Sequence, residues 1–156
     1  MAAQETLRLV TDLDGEAAIK LWLAGLGIDS VVKMEVEERT LYWSDGPGMM
    51  LLAAEVSERA RTWMGETFNL PATLEIGFEL DSCRDRSSPQ TTILKGTLEF
   101  LRRTNADAGL WFDSNKTLML LKRGDDLILN AHTQQWTDAR LKLVTLPHRW
   151  ETLKAY

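Results

Sequence analysis

Between residues 73 and 80 the chain reads Thr-Leu-Glu-Ile-Gly-Phe-Glu-Leu, and this alternation limits the possible folds more than any other stretch. In an extended backbone Leu74, Ile76, Phe78 and Leu80 fall on one side, and Thr73, Glu75, Gly77 and Glu79 on the other. A strand with one apolar face needs a cover, and the next segment supplies one. Ser88 can cap a helix and Pro89 can open it, and the helix is expected to run to Arg103. On it Leu94, Leu98 and Leu101, flanked by Ile93 and Phe100, recur at spacings of three and four and form one apolar stripe. Three short strands are expected next, at residues 108–112, 117–122 and 127–130. The polar turns Asp113-Ser114-Asn115-Lys116 and Arg123-Gly124-Asp125-Asp126 separate them. Residues 72–130 therefore read as strand, helix and three-stranded meander.

The first half has the same order. A strand over residues 6–11 precedes a helix that Asp12 or Asp14 can cap and that runs through Leu26, where Gly27 can end it in the left-handed region. Ala18, Leu21, Trp22, Gly25 and Leu26 share one face of this helix, and the small residues allow a close approach to a sheet. Strands are expected at residues 30–36, 39–44 and 49–55. In the first of these Val32, Met34 and Val36 alternate with Lys33, Glu35 and Glu37, and Asp45-Gly46-Pro47-Gly48 makes a turn before the third. A short helix over residues 57–66 joins the halves, and Pro71 ends the connection. The tail holds Trp136, which is expected to pack back on the sheet, and one helical turn over residues 136–141. No stretch is rich enough in Gly, Ser or Pro to act as a linker. The expected architecture is α+β: a single domain over residues 1–156, with a largely antiparallel sheet, two main helices and a twofold strand-helix-meander arrangement.

At 156 residues and 44% hydrophobic content the chain can build one well-covered core but not two. No apolar run reaches the roughly 20 residues that span a bilayer, and the first eight residues lack a signal core. Together with a single cysteine, Cys83, this points to a soluble protein in the reducing cytoplasm. The net charge of −5 disfavours nucleic acid and membrane partners and favours a basic one.

Catalytic signatures are absent from the sequence. His132 and His148 lack the spacing of metal ligands, Cys83 has no evident base, and no phosphate loop, dinucleotide fingerprint or nucleophile elbow occurs. Carboxylates are plentiful, with Asp81 and Asp85 in one loop and Glu35, Glu37 and Glu38 in another, yet their spacing selects no acid/base pair. No cofactor is expected.

The second half resembles the SitI3-type immunity proteins, bacterial antidotes to toxins exchanged between cells. The resemblance is carried by Leu74-Glu75-Ile76-Gly77-Phe78-Glu79-Leu80-Asp81, by Leu98-Glu99-Phe100-Leu101-Arg102-Arg103-Thr104, and by Asp107-Ala108 leading into Leu110-Trp111-Phe112. Leu120-Leu121-Lys122-Arg123-Gly124, Leu127-Ile128-Leu129-Asn130, Trp136 and Pro147 keep the same order, and the start Leu7-Arg8-Leu9-Val10-Thr11 is also similar. Asp113-Ser114-Asn115 departs from the pattern, which has an Asn-Gly type of turn there.

The resemblance implies a cytoplasmic, non-catalytic protein that binds and neutralises a cognate toxin by occluding it. For a basic toxin the contacts should come from carboxylates on loops: Glu37, Glu38 and Asp45 in the first meander, and Asp81, Asp85, Asp125 and Asp126 in the second unit. An apolar interface around Trp43 or Trp63 is the other form of the binding reading. Two alternatives stand beside it: a small enzyme using a carboxylate pair, and a structural or regulatory domain whose exposed strand edges pair with copies of itself.

Overall fold

The computed structural model describes residues 4–44, 49–80 and 85–155. In chain order the elements are β1 (Gln4–Val10), α1 (Gly15–Ala24), β2 (Val32–Val36), β3 (Arg39–Ser44), β4 (Met49–Glu55) and α2 (Glu58–Phe68). They continue with β5 (Leu74–Glu79), α3 (Ser87–Arg103), β6 (Asp107–Phe112), β7 (Thr117–Arg123), β8 (Asp126–Asn130), α4 (Asp138–Leu141) and β9 (Arg149–Glu151). All nine strands form one sheet in the order β2-β3-β4-β5-β1-β6-β7-β8-β9. Every pairing is antiparallel except that of β8 with β9.

The repeated strand-helix-meander order is present along the chain, but its two copies are threaded differently in space. β1 and β5 lie side by side at the centre, and each pairs on its other side with a strand of the other unit, β5 with β4 and β1 with β6. The strand of the meander next to this centre is the last in the first unit and the first in the second.

α1 and α3 cover the sheet face that carries Leu7, Leu9, Leu51, Leu74, Ile76, Phe78, Ala108, Leu110 and Phe112. The residues expected to share one core, Leu74, Ile76, Phe78, Leu98, Leu101 and Leu120, do share it, each at most 5% exposed. α1 is capped by Asp14, whose carboxylate accepts from the Ala17 N–H, and Gly27 takes the left-handed φ of +76° just after the helix. The two helices approach closely because α3 offers Gly96, where a Cβ would come within 2.5 Å of the Trp22 ring. The Trp22 indole N–H donates to the Thr97 hydroxyl at 3.3 Å, and its ring lies 4.9 Å from that of Phe78. Gly25 lies against Glu99 of α3, and Gly15, not read in the sequence as a contact, lies against Ala53 of β4.

The second face is covered over only part of its width. Met64 and Phe68 of α2, with Leu70 and Ala72, pack on Trp111, Leu118 and Leu121, and Leu153 and Ala155 of the tail close the same cluster. Trp111 lies back over Gly109, where any Cβ would stand 2.5 Å from the ring.

Several boundaries differ from expectation: β1 is shifted to Gln4–Val10, α1 stops at Ala24 with Gly25 as its C-cap rather than at Leu26, β2 starts at Val32 and α4 at Asp138. α3 begins at Ser87, so Pro89 sits in the first turn but Ser88 is not the cap; the Asp85 carboxylate accepts from the Ser87 N–H at 3.1 Å instead. α2 continues to Phe68 because Asn69 adopts the left-handed conformation that ends it. β9 was not expected; three exposed residues have no apolar alternation to reveal them. Trp136 packs on the core as expected, and its indole N–H donates to the Met119 carbonyl at 3.2 Å.

Phe78→Ala should lower stability by about 3 to 5 kcal/mol, the range for a buried aromatic, read as the urea midpoint. Gly96→Ala should also destabilise, although alanine favours a helix by about 1 kcal/mol, because the fully buried Trp22 has nowhere to go. A raised midpoint for Gly96→Ala would show that the two helices can separate at no cost.

Candidate functional site

Over β2, β3 and β4 no described helix or tail segment covers the second sheet face. The register places Val32 opposite Trp43 and Met50 beyond it, and Met34 opposite Leu41 with Leu52 beyond that. Alternation therefore puts all of these, with Val36, on one side of the sheet. Val32 is 56% and Val36 47% exposed, while Met34, Leu41, Trp43, Met50 and Leu52 are half-buried. The alternation expected in β2 is real, but its apolar side faces outward rather than into the core.

A band of charge separates this open half from the half that α2 covers. Arg8 bonds to Glu75 at 3.2 Å and lies over the Trp111 ring at 4.6 Å, and Arg39 stands 3.9 Å from Glu79. At the far rim the β2–β3 turn is made by Glu37 and Glu38, both left-handed with φ of 50° and 66°. Asn and Gly suit such a turn far better, so two glutamates there hold local strain. Both are exposed, and neither carboxylate has a hydrogen-bond or ion-pair partner among the described residues.

The other carboxylate candidates are scattered. Asp125 and Asp126 lie at the same end of the strands as Glu37 and Glu38 but six strand spacings away, on the order of 29 Å at normal strand spacing. Asp126 is engaged: Arg149 bonds both its oxygens, at 2.8 and 2.9 Å, and holds its carboxyl below the ordinary range. Asp85 lies at the opposite end of the strands and serves the start of α3. Asp45 and Asp81 lie outside the described residues. The structure thus brings Glu37 and Glu38 together with the apolar face and brings none of the other described candidates to it.

Sequence reasoning missed a buried polar network at the start of α3. Glu5, fully buried, accepts from Arg86 at 2.5 Å and from the Asp113 N–H at 3.0 Å. Asp113 accepts from Gln90 and from Gln135, both at 3.3 Å, and faces Arg86 at the same distance. Arg140, 3% exposed, donates to Thr91, to the Ser87 carbonyl and to Gln135. Extending the alternation of Leu7 and Leu9 back by one step would have placed a glutamate on the core face, which was the available signal. Every carboxylate oxygen in the network is bonded within the protein, so the cluster ties the tail to α3 rather than presenting a free base. It also accounts for the turn at Asp113, Ser114 and Asn115, all left-handed: a carboxylate is needed at the first position.

His132 and His148 are exposed, and no group of three His, Cys, Asp or Glu side chains among the described residues could hold a metal ion. No helix among the described residues is long and apolar enough to cross a membrane.

Burial pushes the Glu5 carboxyl above its ordinary value of 4.5, against the opposing pull of Arg86 and the Asp113 N–H. Folding therefore takes up protons at Glu5 relative to the unfolded chain. Its contribution to stability is full below 4.5 and is lost as pH rises through the higher folded value. In denaturation series across pH, the stability of the native protein relative to Glu5→Gln should fall as pH rises above 4.5. Parallel profiles would mean that Arg86 compensates fully for burial.

A family model described as SitI3-like matches residues 6–140. No curated protein and no solved structure matches the chain.

Proposed function

The chain belongs to the SitI3-like family of immunity proteins, and on that premise we propose that it binds a cognate bacterial toxin and neutralises it by occlusion, with no chemistry of its own. The observation that carries this reading is the uncovered apolar surface over β2, β3 and β4, bordered by Glu37 and Glu38. It has the composition of a binding patch: Met34, Leu41 and Leu52 form its middle row, Val32, Trp43 and Met50 the row at the end away from Glu37 and Glu38, and charge lies at the rim. The partner-free glutamates and the net charge of −5 favour a basic toxin, since complementary fields speed encounter. Trp43 is the aromatic anchor in this reading because it lies on this face of the sheet, whereas Trp63, also exposed, lies on α2.

Asp45 and Asp81 remain candidates from the sequence. A toxin reaching Asp125 and Asp126 as well would have to span nearly the whole sheet, more than a standard interface of about 800 Å² per partner covers. The reading places the protein in the cytoplasm, in keeping with its single cysteine.

Co-expression with the toxin encoded in the neighbouring reading frame should protect growth and yield a one-to-one complex. Glu37→Lys with Glu38→Lys should leave the fold intact, slow association strongly at low salt and matter less at high salt. Trp43→Ala should weaken binding by about 2 kcal/mol, mostly through faster dissociation. Absence of both protection and complex would overturn the reading.

A further inference from the structure

The two edges of the sheet are built differently. At one, β9 is three residues long, and Arg149 ties it to β8 through both oxygens of Asp126, while Glu151 of β9 itself pairs with the same guanidinium at 2.7 Å. Short edge strands fixed by charge discourage further pairing. At the other, β2 presents five residues, and no described strand lies beyond it.

Its backbone has a defined polarity. The two-residue turn makes Val36 and Arg39 a hydrogen-bonded pair, so the peptide groups of Val32, Met34 and Val36 point toward β3. Those of Lys33 and Glu35 point outward. On the side-chain level, Lys33 and Glu35 occupy one face of the strand and the three apolar residues the other.

We propose that β2 pairs antiparallel with β2 of a second copy of this chain, about a twofold axis at Met34. In that register Lys33 stands opposite Glu35 of the second copy, and Glu35 opposite its Lys33, at the positions whose peptide groups are free to bond across. Met34 meets its own equivalent, and Val32 meets Val36 of the second copy on the apolar side. Moving the axis to Lys33 or to Glu35 would set like charges opposite each other, so the sequence of β2 selects one register. Glu35 is already held in place by the Thr40 hydroxyl, which donates to it at 3.0 and 3.1 Å. The axis is perpendicular to the sheet, so both open apolar faces lie on the same side and become one continuous surface. A seam of five residues falls below about 1,200 Å² of buried area, which makes the dimer weak and concentration-dependent.

Sedimentation velocity of the full chain at low salt, up to about 1 mM to cover the weak range, should show a mass-action shift from monomer to dimer. Lys33→Glu alone or Glu35→Lys alone should weaken self-association by about tenfold, with unchanged circular dichroism. Mixing the two variants sets opposite charges face to face again at both positions and should restore association. In a chain carrying Cys83→Ser, Met34→Cys should form an intermolecular disulfide on oxidation, because facing residues at such positions lie about 4.5 Å apart. A monomer over the whole range, a dimer indifferent to both reversals, or variants that fail to complement would each overturn the proposal. None of these readouts involves a toxin, so they stand or fall apart from the immunity reading.

Discussion

The antiparallel seam between β1 and β5 is what the rest of the structure depends on. It joins residues far apart in the chain, Leu7 to Ile76 and Leu9 to Leu74, with Arg8 bonded to Glu75 across 67 positions. Closing so long a loop carries an entropic cost that only burial can offset, and both rows are buried under α1 and α3. Because the first strand of each unit sits between the other unit's first strand and a strand of the other unit's meander, neither unit can complete a sheet alone. The two halves are therefore interdependent, whatever the similarity of their order.

The Glu5 network secures one end of that seam. It reaches from β1 through Arg86 to α3, and through Asp113 to Gln135 in the tail, while Arg140 bridges the tail to the first turn of α3. Removing a single partner from such a cluster leaves a buried charge uncompensated, so it acts as a unit. Three successive left-handed residues at the β6–β7 turn are tolerable because Asp113 is held from several directions.

Against this closed end, the β2–β4 corner is the open one. The helices are spent on the first face, α2 and the tail cover the second face only around Trp111, and Arg8 with Glu75 marks where the cover stops. What remains among the described residues is an apolar surface and a strand edge with no described neighbour, with Glu37 and Glu38 at the turn they share. Behind this corner only α1 among the described helices packs closely on the sheet, at β4, so its backing is thinner than that of the centre.

The sequence by itself determined the elements. Alternation in Leu74–Glu79, the stripe Leu94, Leu98, Leu101 and the start signal at Asp14 are local, so all three read correctly, whereas the helix stops at Ala24, before the Gly27 expected to end it. The tertiary structure alone decided the strand order, because pairing β1 with both β5 and β6 depends on contacts that no local pattern encodes. It also decided which apolar faces are covered: Val32, Met34 and Val36 alternate as cleanly as Leu74, Ile76 and Phe78, yet only the latter have a helix above them. Periodicity states that a face is apolar. Whether another part of the chain reaches that face is a matter of how many helices there are and where the connections let them lie, and no described helix arrives at β2.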